Sequence, residues 1–122
     1  MSEVTMADDA PSKDVLENIA SLQEEASRQP DDRDLQRKLA WALYGAGRFE
    51  EARDAFEKAR ERWPDDIEFH YGLGLSLKQL GQKEVALTEF EKALATGERS
   101  VQASMLRRLA EEQRNILMKG AA

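Results

Sequence analysis

The residues able to do chemistry are few. His70 is the only histidine and cysteine is absent, so any metal would rest on one imidazole among carboxylates, a poor set for zinc. Neither a thiolate nucleophile nor a disulfide framework is available, which fits a reducing compartment. Gly72 and Gly74 form a Gly-x-Gly, but inside a helical pattern, with no preceding strand and no third glycine. That spacing signals close approach of a second helix rather than a phosphate cradle. The acid pairs Glu50 with Glu51 and Glu111 with Glu112 are sequence neighbours, and neighbours on a helix point to different sides, as solvated faces do. No nucleophile is accompanied by a base, and no cofactor motif is present. The sequence therefore predicts no catalytic residue, no cofactor and no metal: a binding protein and not an enzyme.

Charge narrows what could be bound. The net charge of −6 is confined to one end: residues 1–31 hold eight acids and two bases, and residues 32–122 hold sixteen of each. A balanced body without a basic stripe gives little purchase on nucleic-acid phosphates or on an anionic membrane surface. Residues 1–11 read as a disordered acidic arm. They contain no apolar leader-like stretch, and no apolar run anywhere approaches the roughly 20 residues that cross a bilayer. The expectation is a cytoplasmic protein with a protein or peptide partner.

The elements emerge from self-comparison. Sliding the chain by 34 residues aligns residues 31–64 with 65–98 and gives 11 identities, where composition alone gives about two. Among them are Asp31 with Asp65, Leu39 with Leu73, Leu43 with Leu77, Gly47 with Gly81, Ala52 with Ala86, Phe56 with Phe90 and Ala59 with Ala93. Leu39 and Leu43 are four apart, and Ala52, Phe56 and Ala59 step by four and three, so each set lies on one face of a helix. Gly47 and Gly81 stand where a left-handed residue would end the first helix, and Pro64-Asp65-Asp66 separates one repeat from the next. Asp65 with Glu68 reads as a capping box. The small residues Ala40, Gly74, Ala52, Ala86, Ala59 and Ala93 allow two helices to approach to about 8–10 Å, with Phe56 and Phe90 filling the space between.

A 34-residue helix-turn-helix with these residues resembles the tetratricopeptide repeat over two repeats, residues 33–66 and 67–100. Gln36, Leu39, Ala40 and Leu43, then His70, Leu73, Gly74 and Leu77, occupy the family's first-helix places. Ala52, Phe56, Ala59 and Pro64, then Ala86, Phe90 and Ala93, occupy those of the second helix. Gln36 and His70 replace the usual bulky residue, Lys83 stands where Phe49 stands one repeat earlier, and Glu98 replaces the proline. The resemblance implies an all-α, right-handed superhelical stack of antiparallel helix hairpins. Two repeats need their ends closed. Val15, Leu16, Ile19, Leu22 and Ala26 predict an N-terminal capping helix over residues 12–29, where Asn18 and Glu25 replace the family's small residues. Ser100 predicts the start of a C-terminal capping helix over 101–119, whose Arg107 and Arg108 replace Leu39 and Ala40. About six helices result.

In this family the first helices of successive repeats line a concave groove. The corresponding places here are Asp34, Arg37, Trp41, Tyr44 and Gly45; Glu68, Tyr71, Leu75, Lys78 and Gln79; and Gln102, Met105, Leu109, Glu112 and Gln113. The resemblance implies a groove in which Trp41, Tyr44 and Tyr71 grip an apolar anchor of a peptide or helix; the alternative is that a terminal helix folds over and buries them. The family's clamp for a C-terminal carboxylate would fall on Arg37, Trp41, Gly72, Gln102 and Leu106, of which only Arg37 has suitable chemistry. The expected function is an adaptor or scaffold. The alternatives are a homodimer formed through the groove or the Met105, Leu109 and Ile116 stripe, and a non-catalytic subunit of a larger complex.

Overall fold

The computed structural model describes residues 11–120. The acidic arm, apart from Pro11, falls outside them. The described residues form six helices: α1 (Lys13–Arg28), α2 (Arg33–Gly45), α3 (Phe49–Arg62), α4 (Ile67–Gln79), α5 (Lys83–Ala95) and α6 (Val101–Gly120). Each packs on the next in sequence, and α2, α4 and α6 also touch along one side, so they form an inner layer with α1, α3 and α5 outside it. None of the helices is long and apolar enough to cross a membrane.

The boundaries follow from local chemistry. Ser12, Asp32, Asp66 and Ser100 each accept, through a side-chain oxygen, a backbone N–H in the first turn of α1, α2, α4 and α6, at 3.0–3.1 Å, satisfying donors that a helix start leaves orphaned. The cap of α4 is Asp66 and not Asp65: its Oδ1 accepts the Glu68 N–H at 3.1 Å. Glu68 turns its carboxylate to Trp41 and Arg37 instead of back to the cap. Gly47 and Gly81 both have φ of +79°, the left-handed conformation expected after α2 and α4. Alanine at either should cost about 1–2 kcal/mol from backbone strain alone, because no atom lies within 4 Å of an added Cβ. Chemical denaturation of the two single variants measures this.

Between the layers the packing is that of small residues against rings. Ala40, Ala52, Phe56, Ala86, Phe90, Ala93 and Ala110 are wholly enclosed, and Ala103 is 1% exposed. The Gly72-x-Gly74 pair is a close-approach site. A Cβ on Gly72 would stand 2.3 Å from Cε1 of Phe56, and one on Gly74 would stand 2.6 Å from Cε1 of Phe90. The two rings thus seat directly on bare α4 backbone. For this reason α4 is buried almost all round, from Ile67 through Leu77, with Leu75 the one half-covered residue after Glu68.

A second device ties each outer helix to the inner helix that follows. Gln36, in the first turn of α2, donates from Nε2 to the carbonyls of Ala26 and Gln29 at 3.2 and 3.1 Å. His70 stands one repeat later and places Nε2 2.7 Å from the Pro64 carbonyl. A planar side chain at this place therefore satisfies the carbonyls freed where the preceding helix ends. Ser104, the next equivalent, does not reach. Arg107 substitutes, donating to the Thr96 carbonyl at 2.9 Å and also to that of Glu98.

α1 and α6 are built differently from the helices they would copy. Ile19 and Ala26 form the buried contact of α1, while Asn18 and Glu25 are exposed. Ala103, Ala110 and Leu117 are buried on α6, with Leu106 packed beside them. Arg108 and the apolar side chains of Val101, Met105, Leu109 and Ile116 remain in solvent.

Candidate binding groove and a buried charge cluster

The residues expected to line a groove fall on α2, α4 and α6, which pack side by side. The first section is closed by polar braces between α2 and α4. Arg37 donates in a fork to both Asp66 oxygens at 3.2 and 3.1 Å and to Glu68 Oε1 at 3.1 Å. Its guanidinium also stacks 4.8 Å from the Phe69 ring centroid. The Trp41 indole N–H donates to Glu68 Oε2 at 2.7 Å. Burial opposes the Arg37 charge, but the hydrogen bond to Asp66 and the field of Asp66, Glu68 and Asp34 outweigh it and hold it firmly protonated. Arg37, the one clamp place with suitable chemistry, is thus engaged within the fold.

The aromatic residues read as grips are largely held by the stack. Trp41 meets Phe56 edge to face at 4.8 Å and Tyr44 at 5.7 Å, and Tyr44 meets Phe49 at 5.3 Å. Both Trp41 and Tyr44 are half-buried. Tyr71 is packed against Phe90 with centroids 5.9 Å apart and keeps only 9% of its surface exposed. Burial pushes its phenol above the ordinary 10.0, with Tyr44 and Glu112 adding to the shift. This covering comes from neighbouring inner helices and the outer-layer rings. α1 packs on α2 alone, leaving a recess of about 610 Å³ beside Trp41, lined by Asn18, Leu22, Lys38 and Ala42.

Apolar surface that is free lies farther along. Leu75 is half-covered, Met105 is 58% and Leu109 39% exposed, and Val101 and Ile116 extend the strip. Lys78 crosses between α4 and α6 to give Gln113 Oε1 a hydrogen bond at 2.6 Å, and Gln79 reaches the Tyr44 hydroxyl at 3.4 Å. Asp34 stays on the rim, its side chain 87% exposed and 3.6 Å from Arg37. Gly45 and Gln79 are exposed at the far end, and Gln102 and Glu112 line the α6 side. Thus the inner face has a braced, polar first half and an open, apolar second half. At the mouth between the starts of α2, α4 and α6 lies a cleft of about 800 Å³ that includes Asp34, Asp65, Glu68 and Glu98.

A buried charge cluster joins α3, α4 and α5 on the other side of the stack. Glu89, 2% exposed, faces His70 Nδ1 at 3.1 Å through Oε1 and the Arg60 guanidinium at 2.5 Å through Oε2, with Lys92 Nζ at 3.4 Å. Burial works against ionising Glu89. The His70 hydrogen bond and the charges of Arg60 and Lys92 win, holding it below its ordinary 4.5. Both His70 nitrogens face oxygen acceptors, so neither is left for a metal. Sequence reasoning placed His70 at a structural position but missed Glu89. Glu89 aligns with Ala55 one repeat earlier, and a lone acid in an otherwise small-residue place is the signal that could have found it.

These features define a class: an all-helical repeat protein, whose layered hairpins expose one curved surface and keep their strong polar groups for internal bracing. The chain belongs to the tetratricopeptide repeat family, whose model matches residues 17–67 and 37–100. Three solved structures are similar in fold. MamA MSR-1 C2 shares 18% identity at a TM-score of 0.63, over 90% of this chain and 71% of that one. MamA 41-end from Desulfovibrio magneticus RS-1 shares 16% at 0.65, over 87% and 66%, and the MamA RS-1 ArsTM double mutant 15% at 0.65, over 88% and 66%. This chain thus spans just under two thirds of the length of the two RS-1 structures. No curated protein matches significantly. The fold is that of a protein-interaction scaffold, and folds of this kind are typically non-catalytic.

Proposed function

We propose that this chain is an adaptor that holds a peptide or helix of a partner protein in the second half of its groove, against Leu75, Met105 and Leu109. The observation that carries the reading is the open apolar strip continuous with a half-buried aromatic floor. Met105 and Leu109 expose large apolar side chains on the inner face, beside the half-covered Leu75. Surface of that kind marks an interaction site more often than chance. Trp41, Tyr44 and Tyr71 then act as the rigid floor that sets the groove's shape, and Arg37, Glu68 and Lys78 as its internal braces. Asp34 supplies a charged rim.

Comparing the wild-type chain with a Met105→Asp, Leu109→Asp variant in pull-downs from the native cell tests the assignment. The partner recovered by the wild type should be lost from the variant, while the melting temperature stays put because both side chains are exposed. Equal recovery by both proteins overturns the groove. A second reading, a homodimer through the same strip, is favoured by its extension to Val101 and Ile116. It predicts that the same double substitution halves the mass measured by light scattering.

A further inference from the structure

Among the described residues the inner layer begins one helix late. α3 and α5 each follow an inner helix, and Phe56 of α3, wholly enclosed, has Trp41 of α2 edge to face at 4.8 Å. Asn18 and Leu22 stand 34 residues before Ala52 and Phe56, but among the described residues no inner helix precedes α1. Leu22 is accordingly only half-buried. The recess of about 610 Å³ between α1 and α2 lies where that cover would be, with Trp41 and Ala42 as its other apolar wall. The residues in register to supply a cover adjoin α1 directly. Stepped back by 34, Leu35–Gly45 of α2 correspond to residues 1–11.

We propose that the segment before α1 folds back as an extended stretch into this recess, with Val4 and Met6 covering Leu22 and Trp41. Alternate residues of an extended segment face one side, so Val4 and Met6 enter together while Glu3 and Thr5 face solvent. The lengths agree. Ser12 caps α1, and Asn18 and Leu22 stand about 9 and 15 Å along it at about 1.5 Å per residue. With residues 10–12 making the bend, Met6 and Val4 stand about 10 and 17 Å back from Asp9, at about 3.3 Å per residue. Met6 is thus level with Asn18, and Val4 with Leu22. Tethering holds the segment at an effective concentration on the order of millimolar, so a contact too weak to retain a free peptide suffices here. The recess is then a second binding place, distinct from the Leu75, Met105 and Leu109 strip. It takes a short stretch with apolar side chains at every second residue, and this chain carries its own occupant.

Cysteine is absent, so introduced pairs report the contact without background. With oxidised glutathione at low protein concentration, Met6→Cys with Asn18→Cys should close an intramolecular disulfide in several-fold higher yield than Met6→Cys with Ala20→Cys. Asn18 and Ala20 are both exposed and stand about 200° apart around α1, so tethering alone would give the two pairs equal yields. A second measurement reads Trp41 itself. In a Trp63→Phe background, where Trp41 is the one remaining indole, Val4→Asp with Met6→Asp should raise the quenching of its fluorescence by acrylamide. Helicity by circular dichroism should not change, since both substitutions lie outside the six helices. Equal disulfide yields or unaltered quenching would each overturn the proposal. So would a disulfide that joins two molecules instead of closing within one, which would give the recess to a second copy. The Met105→Asp, Leu109→Asp substitutions, added to the first cysteine pair, should leave its yield unchanged, which separates this contact from the groove.

Discussion

Alanine at Gly72 should destabilise the chain by about 2–3 kcal/mol, the upper part of the range for overpacking a filled core. A helix-favouring substitution would ordinarily be stabilising here, since glycine inside a helix costs up to about 1 kcal/mol relative to alanine. The sign reverses because the new methyl would stand 2.3–2.7 Å from three atoms of the Phe56 ring, which is itself fully enclosed and has nowhere to retreat. The effect should depend on that ring. Phe56→Leu alone leaves a cavity and costs on the order of 1–2 kcal/mol, but combined with Gly72→Ala the loss should fall well short of the sum, because the methyl occupies vacated space. Urea denaturation of the four proteins in this cycle measures the coupling. Strict additivity would show that Gly72 is not held open by Phe56.

Removing the Glu89 carboxylate is the second large effect. Glu89→Ala leaves Arg60 and His70 facing each other across a buried site without their common acceptor, and breaking a buried ion pair from one side costs about 3–5 kcal/mol. Against a total stability of about 5–15 kcal/mol, this threatens folding. Glu89→Gln keeps the shape, loses the charge and should cost less. Acid gives the more specific readout. The folded-state value of Glu89 is lowered from 4.5, so its contribution is complete above the unfolded value and disappears as pH falls through the folded one. The melting-temperature gap between wild type and Glu89→Gln should therefore be constant at neutral pH and narrow steadily below about pH 4.5. A gap that widens in acid would contradict the assignment.

The architecture was readable because its causes are local and repeated. The 34-residue period, the alanine and phenylalanine spacing, and the two glycines with positive φ each act within one hairpin, and a second copy confirms every one of them. The Gly72-x-Gly74 pair was read as close helix approach because it lies inside a helical pattern with no preceding strand and no third glycine. The cap slipped from Asp65 to Asp66 because two consecutive aspartates offer the same oxygen one residue apart, and only the geometry of the turn chooses between them. Glu89 escaped because its three partners come from three separate helices, so the mismatch with Ala55 in the other copy does not by itself say what faces the acid. The groove was legible as a set of positions but not in its allocation of roles. Position alone puts Tyr71 on the inner face. Its burial depends on Phe90 leaning over the bare backbone of Gly74, which periodicity does not reveal.

The ties between consecutive layers differ in kind. Where α1 meets α2 and α3 meets α4, a flat amide or imidazole one turn into the inner helix grips the end of the outer one. Between α5 and α6 the grip is passed to the long, many-jointed arm of Arg107. The panel bearing Met105 and Leu109 is thus fastened by a long side chain and not by a flat ring or amide, so the open half of the groove rests on a different kind of joint from the braced half.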